Sequence, residues 1–224
     1  MNVVLNFTYY KSKNSVILIK NKNMKPLYFF VLLISFITCE FKGQTQTTNK
    51  PFAAKLSDAA ISIIDPNIIY DPTYFSIKYP NGDVPKNKGV CTDVIIRSYR
   101  KLGIDLQKEV HEDMKSHFSQ YPNLKKWGMT KTDTNIDHRR VPNLEIFFER
   151  KDTKLAVSKK PNDYKTGEIV TWLINNKLPH IGIITNRKST DGKRNLIVHN
   201  VGNGQVLEDC LFSYTIVGHY KYAK

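Results

Sequence analysis

The chain is poor in cysteine, with three in 224 residues, and poor in acid, with 20 Asp and Glu against 34 Lys and Arg. Three widely spaced thiols exclude a disulfide-dense scaffold and the paired-cysteine motifs of structural zinc modules. Long apolar runs are missing too: the segment from Leu27 to Thr38 extends for only about a dozen residues, short for a membrane-spanning helix. There is no glycine-rich phosphate loop, internal repeat or low-complexity tract, so no cofactor is expected. The basic surplus comes without an arginine-rich run or an aromatic RNA-binding signature, and nucleic acid is not an expected partner.

What remains is the composition of a globular protein with one good core, 41% hydrophobic and 24% charged. The net charge is +14. Residues 1–43 hold Lys11, Lys13, Lys20, Lys22, Lys25 and Lys42 against Glu40 alone, so the rest of the chain keeps 28 basic and 19 acidic residues, or +9. That surplus favours polyanionic surroundings such as teichoic acid or anionic lipid.

Lys20, Lys22 and Lys25 precede the apolar segment, which ends at Cys39, as in a secretory signal. Met24 reads as the start of that signal and Met1 to Asn23 as an upstream extension. The stretch Phe36-Ile37-Thr38-Cys39 loosely resembles a bacterial lipobox, which makes Cys39 a candidate lipidation site and implies a membrane anchor. Cleavage before Gln44 would instead release a soluble exported protein. The expected plan is a signal over 1–43, a polar tether over 44–51 and a single domain over 52–224, placed in the periplasm or cell envelope.

Within that domain one stretch stands out. Val90, Val94, Ile95, Tyr99 and Leu102 recur at helical spacing between Gly89 and Gly103, which puts Cys91 at a helix N-terminus. Unpaired N–H groups and the helix dipole favour a thiolate there. The plainer alternatives are a small buried apolar residue or one half of a Cys91–Cys210 disulfide.

Phe52 to Ile64 reads as an amphipathic helix ended by Asp65-Pro66, Leu106 to Phe118 as a second, and Leu144 to Arg150 as a third beyond the turn-rich Tyr121 to Gly128. Asp137, His138, Arg139 and Arg140 form a dense set of charged groups and are candidates for gripping an anionic substrate. Strand patterns follow at Ile169 to Leu173, His180 to Thr185, Asn195 to Val201 and Ile216 to Tyr220, with turns at Asn175-Asn176 and Asp191-Gly192-Lys193. The expected fold class is α+β, with helices packed on an antiparallel meander. His111, His117 and His219 read as structural.

A cysteine opening a helix that ends in Leu102-Gly103-Ile104, then Gly167-Glu168-Ile169-Val170, His180-Ile181-Gly182-Ile183 and Val198-His199-Asn200, resembles the papain-like NlpC-type cell-wall peptidases and amidases. The phrases Gly89 to Val94 and Asp137 to Leu144 look, more closely, like a family of uncharacterised secreted bacterial proteins within that superfamily. The usual Asp-Cys-Ser-Gly reads Val90-Cys91-Thr92-Asp93 here, and residues 107–160 form a longer insertion than the simplest members carry.

The resemblance implies a papain-like NlpC-type fold, Cys91 as nucleophile, His180 as general base and then acid, and His199 as the group that orients His180. It implies a hydrolase of amide bonds acting on peptidoglycan or another envelope polymer. Tyr70 and Asp93 join residues 137–140 as candidate substrate contacts, although Asp93 could simply cap its helix. The rivals are a binding module with an inactive site, and a zinc centre held by Cys91, His180 and His199.

Overall fold

Alternation of apolar residues after Gly167 builds a sheet, and the helical periods before it supply the layer that covers one of its faces. The structure is a computed structural model that describes residues 50–224. The expected signal, Met24, Cys39 and most of the tether lie outside the described residues.

Helix α1 spans Phe52–Ile61 and buries Leu56, Ala59 and Ala60. It stops three residues short of the expected end, because Ile63 and Ile64 tighten to carbonyls three residues back and Asp65 bridges Gln205. Two-residue strands β1 (Ile69–Tyr70) and β2 (Lys88–Gly89) then pair in parallel and deliver the chain to α2, Cys91–Lys101. Helix α3 covers Leu106–Ser116, with the Asp105 carboxylate accepting from the N–H groups of Gln107 and Lys108. A short helix, α4 (Asn123–Trp127), lies where the sequence reads only as turns. Helix α5 runs Val141–Arg150, starting three residues before the expected Leu144 because Pro142 suits a first helical turn.

Strands β3 (Ile169–Ile174), β4 (Leu178–Lys188), β5 (Asn195–His199), β6 (Val206–Glu208) and β7 (Thr215–Tyr220) form one antiparallel sheet ordered β6-β5-β4-β3-β7. Asn175 and Asn176 both sit at positive φ, 51° and 57°, as a tight hairpin turn of right-handed strands requires. The expected meander therefore holds for β3, β4 and β5. It continues into β6, which lacks the apolar alternation that would have marked it, and β7 returns to the far edge beside β3. The fold class is α+β.

Alternate residues face alternate cores. Ile169, Ile181, Ile183, Val198 and Tyr220 pack against Val94, Ile95, Tyr99, Phe147 and Phe148 of the helices. Val170, Trp172, Ile184 and Ile197 pack on the other side with Tyr164, Cys210 and Leu211. Cys91 belongs to the helix-side core, whereas His180 and Gly182, in register with Trp172 and Val170, take the parity of the second face. A Cβ on Gly182 would stand 2.6 Å from Ile197 Cγ2 and 3.2 Å from His199 Cβ. The missing side chain is what lets His199 close on His180.

Candidate active site

A cleft of about 570 Å³ opens beside the N-terminus of α2, lined by Tyr70, Cys91, Lys126, Trp127, Arg139 and Arg140, with the start of β4 at Leu178 and Pro179 closing one side. Cys91 is only 4% exposed at its base. The N–H groups of Ile181, Thr92 and Cys91 itself face the sulfur and favour its ionised form. Burial outweighs them and, helped by the Asp93 charge, pushes the thiol up to about 12. The helix N-terminus is where the sequence placed it, but the expected resting thiolate is not: desolvation exceeds what the helix end returns.

On β4 and β5 the two histidines do meet. His180 Nε2 lies 2.9 Å from His199 Nδ1, and His199 Nε2 lies 3.1 Å from Glu208 Oε2 and 3.4 Å from Cys210 Sγ. Trp172 stacks on His180 with ring centres 5.7 Å apart, and Tyr214 meets it edge-on. Burial, and after it the neighbouring His199, lowers His180 to about 3. His199 is also lowered by burial, against the pull of Glu208. Both rings are neutral near pH 7.

Among the described residues no hydrogen bond joins Cys91 Sγ to either ring, and His180 Nδ1 has no hydrogen-bond partner. The link between the two halves is covalent backbone: the N–H that faces the sulfur belongs to the peptide joining His180 to Ile181. Cys91 and Cys210 are free thiols in the cores on opposite faces of the sheet, so they do not form the considered disulfide. Nor do Cys91, His180 and His199 converge as a zinc centre; among the described residues no three His, Cys, Asp or Glu side chains do.

The charged candidates separate into two kinds. Asp93 is 2% exposed, accepts the Val90 N–H at 2.7 Å and takes a two-pronged ion pair from Arg139, with Nε–Oδ1 and Nη2–Oδ2 both 3.0 Å. Arg139 also donates to the carbonyls of Thr73 and Asp71. Asp137 accepts from Asn123 Nδ2 at 2.7 Å and from the Asp133 N–H at 2.5 Å, and burial raises it. His138 is buried among Arg139, Arg100 and His111, and burial lowers it to about 3. The expectation that Asp93, Asp137, His138 and Arg139 grip substrate does not fit these placements: Asp93, Asp137 and Arg139 spend their charges and hydrogen bonds inside the protein, and His138 is only 2% exposed, its Nδ1 buried without a hydrogen-bond partner.

Arg140 and Tyr70 are different. Arg140 lines the cleft with its guanidinium 4.0 Å from the Trp127 ring centre, and its nearest carboxylate, Asp137, is 3.9 Å away. Tyr70 also lines the cleft, its hydroxyl raised to about 12 chiefly by burial and further by its proximity to Cys91 and Asp93. Sequence reasoning missed Lys126 and Trp127, which a helix too short to show a period brings to the cleft. It also missed Glu208, nine residues past its partner on a strand with no alternating pattern.

These buried neutral histidines predict a pH response. An unfolded histidine takes up its proton near pH 6.5, whereas His138 and His180 resist until about 3 in the fold. Below pH 6.5 the unfolded chain therefore binds protons that the native state refuses, and stability falls. Each such histidine contributes a slope of at most roughly 1.4 kcal/mol per pH unit. Thermal unfolding followed from pH 7.5 to 5 should show Tm dropping, and His138→Gln should flatten the fall; an unchanged slope in that variant would remove His138 from the account.

A family model described as "Domain of unknown function (DUF1287)" matches residues 57–222. An Escherichia coli (strain K12) protein described as "Uncharacterized protein YijF" is 48% identical over 167 residues, covering 75% of this chain and 80% of that protein. No solved structure matches the chain. The family match takes in Cys91, His180, His199 and Glu208 together with the whole sheet that holds them, and the chain belongs to the DUF1287 family.

Proposed function

We propose that this protein is an exported cysteine hydrolase, on a papain-like NlpC-type scaffold, that cleaves amide bonds in the stem peptides of peptidoglycan. The observation that carries the reading is a hydrogen-bonded His180–His199 pair on neighbouring strands of the sheet whose Ile181 N–H faces the sulfur of Cys91, which itself lies at a helix N-terminus in an open cleft. The order of motifs along the chain supports it, as does the basic, signal-like N-terminus, with Cys39 as the point of lipid attachment if the protein is anchored.

The resting site holds a neutral thiol and a neutral imidazole, since burial raises the one and lowers the other. Proton transfer then accompanies attack rather than preceding it. The Cys91 S–H proton passes to His180 Nδ1, and the sulfur bonds to the scissile carbonyl carbon. The oxyanion is met by the Cys91 main-chain N–H. His180 returns the proton to the leaving amine as the C–N bond breaks, and water, deprotonated by the same ring, hydrolyses the thioester. No hydrogen bond joins His180 Nδ1 to the sulfur in the resting site and His180 takes the parity of the face opposite Cys91, so the transfer requires the His180 ring to be re-oriented towards the sulfur when substrate binds.

Arg140 and Lys126 give the cleft a positive lining, to which Trp127 adds an apolar surface. This suits stem peptides, whose free carboxylates would pair with the guanidinium. Arg140→Ala should raise KM about tenfold for a carboxylated peptide with little change in kcat, the signature of lost uniform binding; an unchanged KM would move recognition elsewhere.

The test of the whole reading is release of new amino groups from isolated peptidoglycan by the purified protein, with His180→Ala lowering the rate by about a hundredfold or more. One observation favours a second reading: the strong burial of the thiol also suits an envelope-binding module with no turnover. Cosedimentation with peptidoglycan without amine release would select it.

A further inference from the structure

The histidine pair does not end at His199. In the sheet Glu208 of β6 stands opposite Ile197 and His199 opposite Val206, so the Glu208 side chain lies diagonally across from His199 on the same face. One carboxylate oxygen reaches His199 Nε2 at 3.1 Å, while the Glu208 side chain remains 40% exposed.

We infer that Glu208 is a positioning residue whose carboxylate sets the tautomers of both rings, leaving a lone pair on His180 Nδ1. The logic follows hydrogen-bond polarity. An ionised carboxylate can only accept, so His199 Nε2 carries the proton that it donates to Glu208. A neutral ring has one such proton, so His199 Nδ1 is an acceptor and His180 Nε2, 2.9 Å away, must be the donor. His180 Nδ1 is then unprotonated and able to take a proton. Burial favours the neutral form of both rings, the condition under which this assignment holds.

Cys210 makes this choice consequential. Its sulfur lies 3.4 Å from the same His199 Nε2. A thiol donating to that nitrogen would move the His199 proton to Nδ1, turn His180 Nε2 into an acceptor and put the remaining proton on His180 Nδ1, which blocks it as a base. The nearer, charged Glu208 wins this competition because charge-assisted hydrogen bonds are the stronger ones. The catalytic meaning of the tautomer rests on the Cys91–His180 reading above; the tautomer itself does not.

Long-range 1H–15N spectra of the histidine rings in the labelled full chain test the inference, with amine release from isolated peptidoglycan as the second readout. The wild type should show both rings as Nε2–H. Glu208→Ala, which leaves Cys210 as the neighbour of His199 Nε2, should convert most of His180 to Nδ1–H and slow amine release about tenfold. Glu208→Gln, whose amide oxygen still accepts, should keep both tautomers and the rate. A wild-type His180 already in the Nδ1–H form, or the same His180 spectrum in wild type and Glu208→Ala, overturns the inference. A changed tautomer with unchanged amine release overturns its link to Cys91. Failure of the hydrolase reading shows elsewhere, as absent amine release from the wild type with the ring spectra as described.

Discussion

Cys91→Ala should leave the fold intact and reduce hydrolysis of peptidoglycan by a thousandfold or more. Losing a nucleophile removes the covalent route altogether, and neighbouring groups recover little of it because they act only through that atom. The structural cost is small: one sulfur atom at the base of a cleft, with the apolar neighbours Val94 and Ile95 of the same helix unchanged, costs about 1 kcal/mol. Unfolding curves for the two proteins should therefore nearly coincide while their turnover differs by orders of magnitude. Undiminished amine release from the variant would sink the hydrolase reading.

The same thiol has a pH signature. Its ionisation is pushed up to about 12, against about 8.5 for a free cysteine, so alkylation of the resting protein should be slow near pH 7 and climb only in strongly alkaline solution. The sign for stability follows from the same difference. Up to about pH 8.5 folded and unfolded chains both keep the proton; above it the unfolded chain ionises first, and native stability is lost progressively towards pH 12. Cys91→Ala should be less sensitive to alkali than the wild type.

Arg139→Ala should cost about 3–5 kcal/mol, enough to unfold a marginal domain. The Arg139 and Asp93 side chains are 1% and 2% exposed and meet through two hydrogen bonds. Removing the guanidinium strands a buried carboxylate whose one remaining hydrogen bond, from the Val90 N–H, cannot offset the lost partner. It also frees the segment that Arg139 holds through the carbonyls of Asp71 and Thr73. Urea denaturation gives the number, and the double variant Asp93→Ala/Arg139→Ala should cost less than the two single changes summed. A loss below about 1 kcal/mol in Arg139→Ala would show that the pair contributes no more than an exposed one. Since Asp93 caps the helix that Cys91 opens, and Thr92 Oγ1 donates to the Arg139 carbonyl at 3.0 Å, the pair also fixes where the sulfur sits.

Much of this was legible in the residues. The period of Val90 to Leu102 announced α2 with Cys91 at its start, and the apolar alternation of β3, β4 and β5 announced the strands, because both patterns are local consequences of backbone geometry. The pairing of His180 with His199 was implied by the family resemblance, and the adjacency of their strands makes it possible. Helix α4 and strand β6 left no trace, since five and three residues are too few to show a period.

What the sequence alone determined was the identity of the groups and the elements that carry them: a thiol at a helix end, imidazoles on neighbouring strands and a basic loop. Their roles were decided by tertiary packing. Asp93 and Arg139 are 46 positions apart and neutralise each other only because α2 and the loop before α5 meet in the fold. Arg140, the adjacent residue, keeps its charge at the cleft because its side chain stacks on Trp127 instead. Protonation follows the same rule. Ionisation responds to the water excluded and the charges brought near, and neither is a property of residues adjacent in sequence, so the thiol that a helix end alone would acidify is held neutral by the core around it.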